Sequence, residues 1–223
     1  MASSNKIGFA GTKVNDIALY LSRILVNLGR NTAIIDASKE QLLKYSVPEI
    51  NKGDIVTYRN VDVFLNCIDT ESFSDIDMTA YDVVMINFGM NDGLIEEYSG
   101  CNVLMAVTDL QRHNILRLRD FLSKTDKNLE IIRVFRDVVD CKIDKKYIDS
   151  ILESFGIKYL ADYELYLEDA ELVCRIESQY NDIIKFQKLQ KEYKNMLREI
   201  VLKYLGIEGK LLTGAFKTAE KGR

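Results

Sequence analysis

Short apolar runs alternate with amphipathic helical stretches along most of this chain. Several runs are continuously apolar, as expected of strands that are covered on both faces of a sheet. The alternation predicts an α/β fold with a three-layer, mostly parallel sheet and helices on both faces. The predicted strands are residues 7–9, 32–36, 61–67, 81–87, 103–107, 131–135 and 157–160.

Three stretches repeat apolar residues at helical spacing. The first follows the first strand and ends at Gly29, because glycine readily adopts the left-handed conformation that stops a helix. The second covers residues 112–122. The third, residues 182–205, reads as one long helix that should pack across the sheet. Its apolar stripe consists of Phe186, Leu189, Tyr193, Met196, Ile200 and Tyr204.

The composition is that of a folded protein with one main core. The chain has 223 residues, of which 47% are hydrophobic and 29% are charged, and its net charge is −4. This charge gives no overall attraction to nucleic acid or to an anionic membrane. The four cysteines include no C-x-x-C pair, which favours a reducing compartment over a zinc or redox motif. No leader or membrane-spanning run is apparent, so we expect a cytoplasmic protein.

We expect one domain over residues 1–205, followed by a basic tail over residues 206–223. From Lys210 to Arg223 the tail holds four cationic residues and a single acid, Glu220, with apolar residues interleaved. Because it is short and carries two glycines between Lys210 and Arg223, we expect it to be flexible. Any contact of this segment with an anionic membrane is expected to be weak.

The turn after the first strand has the spacing of a phosphate-binding loop but lacks most of its side chains. A P-loop reads G-x-x-x-x-G-K-[ST], and its backbone, lysine and hydroxyl group contact phosphates and magnesium. Gly8 begins this spacing, and Gly11 lies within it. Lys13 then stands in place of the second glycine, while Val14 and Asn15 replace the lysine and the hydroxyl residue. The layout of the loop persists although most of its chemistry is gone.

Polar residues stand at the ends of two predicted strands, where parallel sheets bind ligands. Asp36 is a candidate for residual metal or water binding, or else it caps the next turn. Asn87 forms, with Asp92, either a switch-like loop or an ordinary turn. His113 is the sole histidine and is expected at the surface. The sequence therefore indicates no metal site.

Residues 159–171, YLADYELYLEDAE, combine tyrosines with carboxylates. Tyrosine is enriched at protein interfaces, so this stretch is a candidate docking surface. The alternative is a helix that packs its aromatic edge on the sheet. The sequence alone leaves both interpretations open.

The order of these segments resembles a known family. The loop, the stretch DIALYLSRILVNLGRNTAIIDAS and the strands YDVVMINFG and NVLMAVTD are similar to the MinD/ParA-type ATPases with a deviant Walker A motif. That family includes the TadZ/CpaE pilus-localisation and BcsQ cellulose-synthesis proteins. The similarity covers residues 6–205 and is most specific over the first forty residues. It implies a P-loop NTPase-like domain of the SIMIBI/MinD type.

The resemblance also implies ATP and magnesium binding, dimerisation across the nucleotides, and recruitment of partners to a membrane, chromosome or cell pole. It places Phe9 where the family has its cross-dimer lysine. Val14 takes the place of the phosphate-binding lysine, and Asn15 that of the magnesium-binding hydroxyl. Asp36 matches the first acid of the family's DAD sequence, whereas Asn87 replaces the Walker B acid.

Ser38 replaces the second, water-positioning acid of that sequence. Because phosphoryl transfer depends on positioned cations and a metal, these replacements predict a degenerate pseudo-ATPase with no catalytic residue. We expect no bound cofactor, or only weak binding of ATP or ADP. The predicted role is a binding, localisation or assembly component of a pilus, secretion or other envelope-associated system, at the inner face of the membrane.

Two alternatives stay open. One is a weakly active, dimerising ATPase for positioning or partitioning, which uses Lys13 and Asp36. The other is an inactive subunit that pairs with an active paralogous ATPase. In each case the expected partner is a protein, either a second copy or a paralogue.

Overall fold

The computed structural model describes residues 4–47, 53–125, 128–152, 156–181 and 183–222. Eight strands run through them: β1 (Asn5–Gly11), β2 (Thr32–Asp36), β3 (Ile55–Tyr58), β4 (Val61–Phe64), β5 (Val83–Gly89), β6 (Val103–Thr108), β7 (Glu130–Val138) and β8 (Lys158–Tyr166). They form one sheet with the order β3-β4-β2-β5-β1-β6-β7-β8. Neighbouring strands are parallel, except that β3 and β4 are antiparallel.

The described α-helices are α1 (Asn15–Asn27), α2 (Thr70–Ser74), α3 (Ile95–Ser99), α4 (Arg112–Leu122), α5 (Lys145–Leu152), α6 (Asp169–Tyr180), α7 (Lys191–Glu199) and α8 (Gly209–Glu220). Short 3₁₀ turns occupy Leu42–Tyr45, Met78–Ala80 and Asp92–Leu94, and a π-helical turn over Ile200–Tyr204 continues α7.

Helices cover both faces of the sheet, which confirms the predicted three-layer α/β fold. On one face α1, α7 and α8 pack over the strands, and on the other face α3 and α4 do so. The side chains of β1 illustrate the alternation between the faces: Ile7 and Phe9 belong to the first core, and Ala10 belongs to the second.

β1 and β8 are among the strands that are longer than the sequence predicts. β1 continues to Gly11, and β8 runs from Lys158 to Tyr166. The aromatic and acidic stretch 159–171 is therefore an edge strand followed by the start of α6. Its interpretation as a helix packed on the sheet is wrong for residues 159–166.

The long helix predicted over residues 182–205 is wrong in its first half. Asp182 lies outside the described residues, and helical structure begins only at Lys191. The side chain of Phe186 is buried, but its N–H donates to the carbonyl of Glu220 at 3.2 Å. A tertiary hydrogen bond thus replaces a helical one, so the apolar spacing indicated burial but not backbone form.

The basic C-terminal segment is ordered rather than flexible, which corrects the expected tail. Residues Gly209–Glu220 form α8, which packs on α1. The guanidinium of Arg198 lies 4.1 Å from the ring centroid of Phe216, and Lys194 pairs with Glu220 at 2.9 Å. The buried positions recur at helical spacing, a signal that the neighbouring charges and glycines obscured: Leu212, Ala215, Phe216 and Ala219.

The packing of α8 leaves little apolar surface of this segment for contact with lipid. Its buried apolar side chains face the core, so the large apolar side chain that remains outside is Leu211, which is 65% exposed. Within the described ranges, no helix is long and apolar enough to cross a bilayer. Membrane contact through residues 210–223 stays a prediction.

Replacing Phe216 by alanine tests the packing of α8. We expect Phe216→Ala to lower the free energy of unfolding by about 3–5 kcal/mol, because it leaves a cavity against α1. Urea denaturation followed by circular dichroism measures this. The matched control Leu211→Ala should change stability by no more than about 0.5 kcal/mol. Equal, small effects of the two substitutions would mean that the segment is not packed.

Candidate functional site

A cleft opens at the carboxyl end of the central strands. β1 lies between β5 and β6, and the strand order reverses its direction at this point of the sheet. Open α/β sheets bind ligands at such a topological switch point. The cleft has a volume of about 520 Å³ and is lined by the β1–α1 loop, the end of β5, the segment after β2, and residues of α4 and α6.

Gly11 fixes the path of the β1–α1 loop. Its φ is +119°, and a Cβ atom there would lie 1.8 Å from the carbonyl oxygen of Val107. The N–H of Thr12 donates to that same oxygen at 2.9 Å. The pairing of β1 with β6 therefore continues into the loop, and only glycine fits at this position. Lys13 follows in the left-handed region, with φ of +57°.

Three of the predicted site residues bring no charge to the cleft: Gly8 and Phe9 lie away from it, and the side chain of Val14 is part of the core. Gly8 lies within β1, where an added Cβ would approach the Sγ atom of Cys101 to 2.9 Å. Phe9 is completely buried. Val14, at the position of the phosphate-binding lysine, is only 3% exposed and belongs to the core beneath α1. None of these side chains supplies a charge to the cleft.

Lys13 is held by two carboxylates. Its Nζ atom lies 2.6 Å from Oδ2 of Asp137 and 3.0 Å from Oδ2 of Asp109. Burial raises the pKa of both carboxyl groups, but hydrogen bonds outweigh this effect, so each pKa lies below its usual range. Asp109 accepts from Asn114 and Lys13, and Asp137 accepts from Lys13. The ammonium is thus neutralised within the chain.

A completely buried arginine lies beneath the same loop. The guanidinium of Arg136, in β7, donates to both carboxylate oxygens of Asp16 at 2.9 and 2.8 Å and to the carbonyl of Lys13 at 3.1 Å. Burial alone would lower the pKa of Arg136, but the charge of Asp16 outweighs it, and the pKa lies well above its ordinary value. The arginine therefore anchors the start of α1 to the sheet.

Two residues of α6 complete this ionic network. Glu171 lies 3.7 Å from Arg136, and burial raises the pKa of its carboxyl group. Arg175 lies 3.4 Å from Asp137 and 3.9 Å from Asp16. The loop is thus surrounded by more carboxyl groups than cations, and no surplus positive charge is left for a phosphate. The cations are Lys13, Arg136 and Arg175, and the acids are Asp16, Asp109, Asp137 and Glu171.

Asp36 caps the turn that follows β2. Its carboxylate accepts hydrogen bonds from the hydroxyl and N–H of Ser38 at 2.6 and 3.2 Å and from the N–H of Leu43 at 3.0 Å. Burial raises the pKa of Asp36, although these hydrogen bonds oppose the shift. Across the described ranges, no group of three or more His, Cys, Asp or Glu residues is arranged to hold a metal ion. The geometry favours the capping interpretation of Asp36.

Asn87 links the two halves of the site. Its Nδ2 atom donates to Oδ1 of Asn15 at 3.2 Å and lies 3.4 Å from Oδ1 of Asp36, while its own Oδ1 accepts from the N–H of Gly89. Two amides thus meet at the positions where the resemblance expects the magnesium-binding hydroxyl and the Walker B acid. Asp92 lies apart from the cleft, where hydrogen bonds from Lys124 and Lys39 lower its pKa to about 2.

Six of the site residues predicted from the sequence meet at this edge of the sheet: Gly11, Lys13, Val14, Asn15, Asp36 and Asn87. The prediction missed Arg136, Glu171 and Arg175. A signal for the first was present, since an arginine inside an apolar strand needs a buried partner. Nothing in the sequence named that partner.

Comparison with known proteins identifies the fold. No protein-family model and no curated protein matches the chain. Among solved structures, it is similar to the ParA family ATPase from Chlorobium tepidum TLS, with 11% identity, a TM-score of 0.54, and coverage of 97% of this chain and 98% of that one. It is also similar to the MinC:MinD cell division protein complex of Aquifex aeolicus, with 13% identity, a TM-score of 0.55, and coverage of 97% and 94%.

A third similar structure is a plasmid partition protein from Borrelia burgdorferi B31 bound to AMPPNP, with 13% identity, a TM-score of 0.51, and coverage of 97% and 99%. At such low identities the likeness shows the fold alone. The chain therefore has the MinD/ParA-type P-loop fold that its sequence resemblance predicts.

Removing the charge of Lys13 should raise the pH at which the protein begins to lose stability on acidification. Asp109 and Asp137 have lowered pKa values, so they stabilise the fold fully above the ordinary aspartate pKa of 3.8 and lose this contribution as the pH falls through their folded pKa values. In Lys13→Met both pKa values should rise, and the loss should begin at a higher pH. Carboxyl ¹³C NMR titration measures each group.

Lys39→Met is the matched control, because Lys39 pairs with Asp92 outside the cleft. It should raise the pKa of Asp92 and leave those of Asp109 and Asp137 unchanged. Unmoved pKa values of Asp109 and Asp137 in Lys13→Met would show that the lysine does not neutralise them.

Proposed function

We propose that this protein is a non-hydrolytic relative of the P-loop ATPases by fold, which acts as a binding, localisation or assembly component. The observation that carries the proposal is the ionic network of the β1–α1 loop. Each cation of that network is paired with a carboxylate of the same chain. The cationic groups that would bind a triphosphate are thus either absent or already paired with carboxylates.

Catalysis would need features that the site lacks. Phosphoryl transfer depends on positioned positive charge and a metal ion that stabilise the developing negative charge. Val14 is an apolar core residue at the position of the phosphate-binding lysine. The start of α1 carries Asp16, whose Oδ1 accepts from the N–H of Ile17 at 3.1 Å. A carboxylate thus already accepts an N–H of the first turn and places a negative charge where a phosphate would otherwise bind.

The proposed role follows from the fold and from the resemblance to TadZ/CpaE and BcsQ proteins. The similar structures include a cell division complex and a plasmid partition protein, which supports a role in positioning or assembly. We place the protein in the cytoplasm, recruited to the inner face of the membrane by a protein of an envelope-associated system such as a pilus or secretion apparatus. ATP or ADP would bind weakly if at all.

Nucleotide binding and turnover test this proposal directly. We expect equilibrium dialysis with labelled ATP to show no magnesium-dependent micromolar binding, because the cations of the loop are already paired. Phosphate release should not exceed that of buffer alone. Lys13→Ala and the exposed control Lys39→Ala should both behave like the unaltered protein. Magnesium-dependent micromolar binding that Lys13→Ala abolishes would contradict the proposal and favour a weakly active ATPase.

A second candidate function is that of an inactive subunit paired with an active paralogous ATPase. Large apolar side chains at the mouth of the cleft favour it, since Leu42 is 57% exposed and Tyr45 is 77% exposed. A partner that covered the cleft would bury both of them.

Size-exclusion chromatography with a paralogous ATPase and ATP tests the pairing. We expect a heterodimer that Tyr45→Asp dissociates, because the change places a charge in the apolar contact. Leu211→Asp, an equally drastic change at an exposed site on α8, should leave the heterodimer intact. Separate elution of the two proteins would exclude this candidate with that ATPase.

A further inference from the structure

A second concave surface lies apart from the cleft, at the ends of β7 and β8. It is a groove of about 390 Å³, bounded by the loop after β7, the first turn of α5 and the last residues of β8. It shares no lining residue with the cleft. Its occupancy is therefore a separate question from nucleotide binding.

The groove is apolar at its floor and at part of its rim. The floor belongs to a small core that is distinct from the two main ones and includes Phe135, Val138 and Ile148. Three large apolar side chains at the rim expose between 38% and 51% of their surface. Such clusters mark surfaces that a partner covers. The rim residues are Val139, Ile143 and Tyr166.

The groove also carries uncompensated negative charge. Asp140 and Glu164 line it, and neither side chain makes a hydrogen bond or ion pair with any other residue that the structure describes. Asp144 caps the start of α5. The lysine of the groove, Lys145, is held by Asp162 at 2.8 Å. A cationic group is therefore favoured here, whereas nucleic acid and anionic lipid are disfavoured.

A partner cannot add a strand at this end of β8. The N–H of Tyr166 donates to Oε1 of Gln190 at 3.2 Å, and its carbonyl accepts from Nε2 of Gln190 at 2.6 Å. The side-chain amide of Gln190 thus takes the place of a neighbouring strand and closes the edge. Recognition at the groove must rest on side chains rather than on backbone pairing.

We propose that this groove binds a short segment of a partner protein in which a large apolar side chain stands next to lysine or arginine. The volume of about 390 Å³ holds about one or two large side chains, which suits a short segment of chain. The apolar side chain packs on Phe135 and Val138, and the cation pairs with Asp140 or Glu164. Lys142 belongs to the same loop but does not line the groove, and among the described residues it makes no ion pair with Asp140 or Glu164.

Fluorescence anisotropy with labelled peptides tests the proposal. The probe is Gly-Ser-Arg-Phe-Leu-Arg-Ser-Gly, compared with one peptide that has Glu for both Arg and another that has Ala for Phe and Leu. The basic, apolar peptide should bind at least about fivefold more tightly than either, because each comparison peptide lacks one of the two contacts. Added salt should weaken its binding.

Two variants locate the binding site. Asp140→Lys/Glu164→Lys should weaken binding of the basic peptide by at least about fivefold through charge reversal, and Val139→Ser should weaken it through loss of apolar contact. The control Asp75→Lys/Glu96→Lys makes the same charge change at exposed acids outside the groove and should have no effect. Circular dichroism confirms that each variant is folded.

Three results would overturn the proposal. The first is that the basic peptide binds no better than the acidic one. The second is that its binding survives the groove substitutions in folded protein. The third is that labelled RNA or vesicles of anionic phospholipid bind at the groove instead, with binding lost in the Val139→Ser variant.

Discussion

The pairing of Arg136 with Asp16 is the interaction on which the geometry of the cleft depends. A guanidinium that is completely buried in β7 requires compensation, and both oxygens of Asp16 supply it from the first turn of α1. Taking Asp16 away would leave a buried charge without its main partner, at a cost of about 3–5 kcal/mol. The same carboxylate lies at the N-terminus of α1, where its negative charge repels a phosphate. The residue that compensates the buried arginine therefore also disfavours phosphate binding.

This constraint explains how a phosphate-binding layout can persist without its chemistry. The path of the loop is set by the close approach of Gly11 to Val107 and by the burial of Val14, neither of which involves a ligand. Lys13 adopts a left-handed conformation where the family pattern has glycine, and its ammonium then binds Asp109 and Asp137. Packing and internal ion pairs thus hold the shape of the loop without a ligand.

The sequence predicted the sheet, its three layers and the loss of side chains in the loop, because these features are encoded by local patterns. It did not predict the ionic network, since Arg136 and Asp16 are 120 positions apart and only the fold brings them together. The helical stripe that ends at Tyr204 failed for a related reason. The buried ring of Phe186 packs on Tyr20 of α1 and Phe216 of α8, so its spacing reflected tertiary packing rather than a helix.

The contact between α1 and α8 joins the two ends of the described chain. During synthesis, the first helix therefore emerges from the ribosome long before the helix that covers it. Until residues as late as Ala219 have been translated, the apolar surface of α1 has no complete cover, although most of the sheet already exists. The nascent chain thus depends on rapid closure by α8, or on chaperones, to avoid association through that surface.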